Sequence, residues 1–547
     1  MKLTDATLFA PLREPVFRSI WLASLLSNFG QLLQSVAAGW EMTRLSNSPG
    51  MVALVQTSAM LPMMLLSIPA GALADTFDKR KVALSGLCLS FLMAIALTAF
   101  ASQGLLTPYA LLGFSAMIGA GFALYGPAWQ SSIAEQVRTE HLPAAVTLGS
   151  VSYNVARSFG PALGGLIVAL TGAAIAFAVN AVLLIPIMIA FLAWKRGHIP
   201  SRLPPERVGR AVISGLRYVM HASSLRNAVL RTFASGIAAA SLYALMPVIA
   251  QQKLAGGAEI YGLLLGAMGL GAMIGAAFMS RLQSLAPESG IRCCAVPIAA
   301  MIMLIGLSTA LWLTLAALVV AGGFWMLLIA RFNIFMQLSS PRWVTGRAMA
   351  AFQSSITGGL ALGSWLWGMV AAHWGLETAL VASGGAVALT LLLGPVLSMP
   401  AAQEDISAVG YTHEPDLNLA VTDRSGPISI EIFYRVDPAD ARAFYHAVQE
   451  VRSARMRTGG FGWSVARDLK EPEIWVERYY CPTWGDYLRQ RSRATEMERQ
   501  AHMRVEAFHR GDVEQRVRRW LERPVGSVRW RAEVPDSGGD VFGVLNP

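Results

Sequence analysis

Between residues 17 and 399 the chain is a succession of apolar runs, most of them about twenty residues long, separated by short charged or glycine- and proline-containing turns. A run of that length matches a helix that crosses ~30 Å of hydrocarbon at ~1.5 Å per residue. Inside a bilayer every backbone polar group must be satisfied within the segment, which restricts such runs to helices. Twelve runs meet the length requirement, near 17–39, 51–73, 82–101, 108–131, 146–170, 173–194, 228–250, 259–280, 293–311, 316–338, 348–371 and 377–399. Composition agrees: only 14% of residues are charged, against about a quarter in a globular protein. The expected class is an all-α membrane protein of twelve transmembrane helices followed by a small soluble domain.

An even number of spans puts both termini on one side, and the Lys/Arg bias selects it. With a cytoplasmic N-terminus, eighteen cations fall in inner loops and two, Arg44 and Lys253, in outer loops. N- and C-termini are therefore expected in the cytoplasm. Residues 1–400 hold 23 Lys+Arg against 11 Asp+Glu, and residues 401–547 hold 21 against 23. The positive charge thus lies between apolar runs, so the expected partner is the lipid bilayer and not nucleic acid. The first 16 residues include Pro11 and Pro15 and no apolar region ahead of a cleavage site, so no cleaved leader is expected. The four cysteines, Cys88, Cys293, Cys294 and Cys481, show neither a disulfide framework nor zinc spacing.

The longest inner connection divides the spans six and six. The reading is a six-helix half at 1–194, a cytoplasmic linker at 195–227, a second half at 228–400, a polar linker at 401–426 and a soluble α+β domain at 427–535. Within the first linker, Val208, Val212, Leu216 and Val219 recur at helical spacing with Arg207, Arg210 and Arg217 off the stripe, which predicts an amphipathic helix. A shift of 204 residues superposes Gly71 on Gly275 and Gly164 on Gly368, a faint internal repeat. Paired halves around a central site are one design of secondary transporters. After residue 427 the pattern predicts strands at 428–436, FGWSVARDL and EIWVERYYC, and a helix at 438–457. A long helix from Thr483 to about His509, a shorter one through Trp520 and a last strand at 525–534 follow, a β-α-β-β-α-(β) order of ferredoxin-like type.

Two carboxylates and three cations crowd the turn after the second run. The stretch Gly71-Ala72-Leu73-Ala74-Asp75-Thr76-Phe77-Asp78-Lys79-Arg80-Lys81 resembles the signature loop of the major facilitator superfamily, with Thr76 in a usually basic position and Asp78 in a usual glycine position. The resemblance implies that Asp75 bridges helix ends across the halves and releases when the cytoplasmic gate opens. In the fifth span, Gly160-Pro161-Ala162-Leu163-Gly164-Gly165 resembles the exporter-type motif of that superfamily. Small residues there allow close helix approach, and Pro161 removes a backbone hydrogen bond. The fourth span, GFSAMIGAGFALYGPAWQSSIAE, lacks the arginine that the superfamily carries. The layout is similar to one branch, the enterobactin-exporter-like transmembrane secretion effectors, through LYGPAWQSSIAE, YNVARSFGPALGG, GLRYVMH and two tail segments at 455–463 and 483–490. The branch implies a multi-pass protein of the bacterial cytoplasmic membrane.

Ionisable groups inside a span are costly and mark candidate sites. Arg157 in the fifth span and Arg331 in the tenth lack an acidic neighbour at similar depth in the sequence, so each could hold an anionic substrate, or else pair with helix-end carbonyls or a polar side chain. Asn28, Gln31 and Gln34 share one face of the first span, and Tyr153 and Asn154 sit in the fifth; they line a cavity or bond between helices. For proton coupling the candidates are Glu41, with Arg44 three residues on, and Asp75. No G-x-x-x-x-G-K-[ST] is present, so a gradient is the expected drive. No cofactor, metal or catalytic residue is expected. The expected function is proton-driven efflux of a siderophore-like or drug-like, anionic small molecule. Uptake of a small metabolite is the alternative. So is a membrane-tethered enzyme, because the tail is similar to the dimeric α+β barrels of cofactor-independent monooxygenases, with His446, Trp463, Trp475, Trp484 and His502 near a pocket. Glu498, His502 and Glu506 share a helix face expected to be solvated, and the tail is expected to dimerise or regulate the carrier.

Overall fold

In the computed structural model, residues 9–194, 208–283, 285–341, 344–399, 415, 417–419, 421–511 and 516–522 are described. The chain forms two compact units. The first comprises 1–212, 227–336 and 349–401; the second comprises 213–226, 337–348 and 402–547. Residues 213–226 and 337–348 thus group with the tail and not with the helices they connect.

The first unit is helical. Its N-terminal half is α1 (Pro15–Leu45), α2 (Pro49–Thr76), α3 (Lys79–Ser102), α4 (Pro108–Gln136), α5 (Leu142–Thr171) and α6 (Ala173–Ala193). Helix α7 (Val208–His221), most of which groups with the second unit, lies in the connection between the halves, and α8 (Ser223–Ala239) opens the second half. There follow α9 (Ala258–Ala277), α10 (Pro287–Leu307), α11 (Leu311–Leu338), α12 (Thr345–Trp374) and α13 (Leu376–Leu389). Among the described residues, ten helices are long and apolar enough to cross a membrane. Helices α1 and α5, of 31 and 30 residues, are not among those ten. They hold the polar groups Asn28, Gln31, Gln34, Tyr153, Asn154 and Arg157, which lower their hydropathy.

Helix starts follow the sequence closely. Proline occupies the first turn of α1, α2, α4, α5 and α10, where the missing N–H costs nothing. The seventh run is broken: α8 ends at Ala239, short turns cover Ser241–Ala244 and Met246–Val248, and a π-helical turn spans Ile249–Lys253. The break is stitched by serines, because Ser383 Oγ donates to the Ala238 carbonyl at 2.6 Å and lies 2.6 Å from Ser241 Oγ. Two helix pairs join the halves. Helix α5 packs on α9, and α2 packs on α12, where Thr57 Oγ1 donates to the Ala361 carbonyl at 3.0 Å. Glycines permit the approach: a Cβ on Gly165 would meet Gly262 Cα at 2.6 Å, and one on Gly368 would meet Ala53 Cβ at 2.5 Å.

The second unit contains a four-stranded antiparallel sheet. Its strands are β1 (Ile428–Arg435), β2 (Phe461–Arg467), β3 (Ile474–Cys481) and β4 (Val517–Leu521), in the order β2-β3-β1-β4. Alternation aims Ile428, Ile430, Ile432 and Tyr434 at α14 (Ala441–Arg457), whose Phe444, Val448 and Val451 complete the core. The expected long helix after Thr483 is two helices, α15 (Trp484–Ser492) and α16 (Glu496–Glu506). Thr495 breaks it by closing a capping box with Glu498. The expected helix through Trp520 is β4 instead, because Val517, Arg519 and Leu521 pair with Ile432, Ile430 and Ile428. Tertiary pairing overrides the local charge pattern there. The expected strand at 525–534 lies outside the described residues.

Candidate functional site

One charge of the helical unit, Arg157 of α5, sits where the halves meet. Pro161 has no N–H to give the Arg157 carbonyl, and a Cβ on Gly269 of α9 would fall 2.9 Å from that oxygen. The facing helix can therefore come close only as glycine. Ser158 Oγ bridges the same contact, donating to its own turn at Asn154 and lying 3.3 Å from the Gly269 carbonyl. The part-buried Arg157 guanidinium donates to the Tyr243 hydroxyl at 2.6 Å, across the halves and into the broken seventh run. Asn154, Arg157, Ser158, Ala272, Met273 and Ala276 line a cavity of about 240 Å³. No carboxylate pairs with Arg157 among the described residues. The arrangement offers a guanidinium held by a weak, neutral partner beside an open space, which is a means of binding an anion or an oxygen-rich group.

The other candidates separate into distinct roles. Asn154 lines the cavity but donates to the Ser150 carbonyl at 2.9 Å, and Tyr153 is exposed. Asn28 bonds Ser152 of α5 at 3.2 Å, and Gln34 accepts from Asn180 of α6 at 3.4 Å. Those two stitch helices of one half together. Gln31 is half-buried. Arg331 donates to the carbonyls of Leu282, Leu285 and Ala286 at 2.6–2.7 Å, the helix-end arrangement that competes with substrate contact. It thereby closes the turn between α9 and α10. Glu41 pairs with Arg44 at 3.1 Å. In the exporter-type motif, Gly160 and Gly164 face Leu32, Leu33 and Val36 of α1, while Gly165 faces α9. One motif thus serves packing within the half and across it.

The charged loop is tighter than its length implies. Helix α2 runs to Thr76, so only Phe77 and Asp78 separate it from α3, and Asp78 caps α3 by accepting from the Arg80 amide at 2.9 Å. Lys79 Nζ reaches Glu135 at 2.9 Å and the Ser131 carbonyl at 3.0 Å on α4, and Arg80 donates to the Leu192 carbonyl on α6. Two of the loop's cations therefore tie the turn to the ends of α4 and α6. Lys81 is exposed, and a Cβ on Gly71 would meet nothing within 4 Å. Asp75 lies in the last turn of α2, and its side chain is outside the described residues.

Two features escape a reading by sequence. Arg231 is buried and pairs with Glu288 at 2.5 Å. Glu288 also accepts from the Met399 amide at 3.2 Å, so one ion pair joins α8, the start of α10 and the chain after α13. The signal was present, since Arg231 is a charge within the run 228–250. Tyr243 had no signal of its own, and only the fold brings it to Arg157. Among the described residues, no group of three His, Cys, Asp or Glu side chains is placed to hold a metal.

Helices of membrane-crossing length, joined in pairs through α5–α9 and α2–α12 and with a cavity lined by α5 and α9, define a polytopic protein of the transporter fold. Residues 6–525 match the family described as transmembrane secretion effector, and the chain belongs to that family. It is 24% identical over 258 residues to the staphyloferrin A transporter of Staphylococcus aureus, covering 46% of this chain and 64% of that protein. It is 27% identical over 235 residues to the multidrug efflux pump Tap of Mycobacterium tuberculosis, covering 39% of this chain and 53% of that one. The chain thus spans between about half and two-thirds of the length of these relatives. In fold it resembles a bacterial homologue of the lysosomal transporter Spinster, inward-facing and occupied, with a TM-score of 0.56 at 13% identity over 71% of this chain and 97% of that one. It also resembles a POT family transporter, with a TM-score of 0.57 at 13% identity over 70% of this chain and 96% of that one.

Proposed function

We propose that this chain is a secondary active transporter that exports a small, oxygen-rich or anionic molecule by alternating access, driven by protons. The observation that carries the reading is the Arg157–Tyr243 contact between the halves, at the wall of a cavity with no carboxylate to neutralise the cation among the described residues. Close glycine packing of α5 on α9 and of α2 on α12 supports a state closed at the end that holds Gly50, Gly165, Gly262 and Gly368. The likeness to a siderophore transporter and to an efflux pump supports substrates of those classes.

On this reading α1 and α5 complete twelve spans, the termini lie in the cytoplasm, and Asp75 latches the inner end. Asp75 and Glu41 are the coupling candidates. The tail sheet order supports a ferredoxin-like domain, and its face away from the helices, with Phe433, Val476, Tyr480 and Trp520, is where two copies would pair. We read the tail as an assembly or regulatory module and not as an enzyme.

The test is accumulation of labelled siderophores and drugs in inverted vesicles with and without a proton gradient. Wild type should accumulate substrate only with the gradient, and Arg157→Ala and Asp75→Asn should lose most of that uptake. Equal transport by all three proteins removes the site. Transport that needs the opposite vesicle orientation makes the chain an importer.

A further inference from the structure

Two sequence motifs that the transport site leaves unexplained, GLRYVMH at 215–221 and the tail segment at 455–463, meet inside the second unit. Helix α14 ends at Arg457, and Gly459 follows with a φ of +110°. The Gly460 amide donates back to the Arg455 carbonyl at 2.8 Å, and the Thr458 amide to the Ala454 carbonyl at 3.2 Å. These bonds close the helix with a glycine cap. The Gly459 carbonyl lies just beyond the negative end of the helix dipole, where a cation is favoured. Arg217 of α7 supplies one: half-buried, it donates from Nη1 to that carbonyl at 3.3 Å.

Two residues earlier in α7, Gly215 is buried against Arg347 of α12: a Cβ there would meet Arg347 Cβ and Cδ at 2.6 Å. The tail turn, α7 and the first turn of α12 are thereby linked. Helix α12 is continuous from Thr345 to Trp374, yet its start belongs to the second unit and residues 349–374 to the first. Further along it, Gly368 packs on Gly50 and Ala53 of α2, at a contact between the halves. A helix is a rigid element, so a tilt that parts α12 from α2 at Gly368 also moves Arg347 against α7.

We propose that the tail is a clamp on the transport cycle: its α14–β2 turn, held by Arg217, stabilises the state described above and releases when α12 tilts. The inference rests on the alternating-access reading, in which this state is open at the inner end. A contact made in only one of two states biases their balance by its differential strength.

The test is pulsed electron resonance on the full chain in lipid nanodiscs, with spin labels at Phe77→Cys and Leu285→Cys and the four native cysteines changed to serine. Both positions are exposed and lie in the α2–α3 and α9–α10 turns, at the inner end. Wild type should show two distance populations. Arg217→Ala should raise the ratio of short to long distances at least threefold. Gly459→Ala strains the turn from the tail side and should move the ratio the same way. The two substitutions together should shift it no further than the larger single change, because they remove one contact. Arg226→Ala takes an equal charge from an exposed position on α8 and should leave the ratio unchanged. A monodisperse elution profile confirms that each variant is folded. Two populations in the same ratio for wild type and Arg217→Ala overturn the clamp and leave the transport reading standing. A single population, identical in every protein, overturns both.

Discussion

Gly165→Ala tests the packing that holds the two halves together. The added methyl would fall 2.6 Å from the Ala258 carbonyl oxygen, 2.6 Å from Gly262 Cα and 3.0 Å from Gly262 N. All three are backbone atoms and cannot swing aside, so α5 and α9 must separate by roughly 1 Å to restore contact distances. Overpacking of this kind costs about 1–3 kcal/mol. That cost falls only on the state in which these helices touch, so it shifts the balance toward the other state about 5–150-fold. Spin labels at Leu105→Cys and Trp312→Cys, in a background with the four native cysteines changed to serine, would report the separation at that end by pulsed electron resonance. Both positions are exposed. The Gly165→Ala distribution should move toward longer distances. Gly113→Ala, where a Cβ meets nothing within 4 Å, should leave the distribution unchanged. Coincident distributions for wild type and Gly165→Ala would refute a tight, state-specific contact.

Three further outcomes follow from named contacts. Tyr243→Phe removes one charge-assisted hydrogen bond to Arg157, worth about 1.5–3 kcal/mol, and should change the apparent substrate affinity about ten- to a hundredfold in vesicle uptake without loss of folded protein. Glu288→Gln leaves Arg231 buried without its counter-charge and should lower stability by about 3–5 kcal/mol, read as the thermal midpoint in detergent, while Arg231→Met with Glu288→Leu should recover most of it. Burial and the neighbouring Arg455 hold His502 at a pKa of about 4. The unfolded chain binds its proton from ~6.5 downward, so stability is complete above that pH and falls by about 3 kcal/mol as pH drops to 4. Amide hydrogen exchange across 428–481, corrected for the intrinsic pH effect, should show that loss in wild type and a flatter profile in His502→Gln. Glu498, whose pKa is raised by burial, titrates in the opposite sense in both proteins and cancels in the comparison.

How much of this was legible in the residues depends on whether the cause was local. Apolar length sets a membrane helix, and Pro49, Pro108 and Pro287 mark starts that the chain uses. Strands β1 to β3 alternate plainly and lie where the pattern put them. Strand β4 does not, because VRRWL is held by pairing with β1 and its charges obscure the period. The helix face carrying Glu498, His502 and Glu506 was expected in water. Glu498 is buried instead, since the capping box and Arg457 recover what desolvation costs, while Glu506 stays exposed beside Arg516 at 2.8 Å. His446 is exposed and takes no part in the tail core, and Trp484 is core, packed on Tyr487 at 5.2 Å.

Where a charge goes is the harder question, because a sequence gives its depth and not its neighbour. Arg157, Arg231 and Arg331 all interrupt apolar runs, and the sequence treats them alike. The fold gives them three partners of different strength: a phenol, a carboxylate and a set of helix-end carbonyls. An arginine with a buried carboxylate is already neutralised, and removing it would strand that acid. One that caps carbonyls is fixed by several short bonds that a ligand would have to replace. Only Arg157 keeps a partner that a substrate oxyanion could displace at little cost, since a phenol that loses the guanidinium is still a neutral group. The ranking of the three as substrate contacts therefore follows from what each would leave behind. It predicts that Arg157→Lys impairs transport with folding intact, whereas Arg231→Lys and Arg331→Lys impair folding first. Yields of monodisperse protein and uptake rates for the three variants, measured side by side, decide it; a well-folded Arg331→Lys that cannot transport would reverse the order.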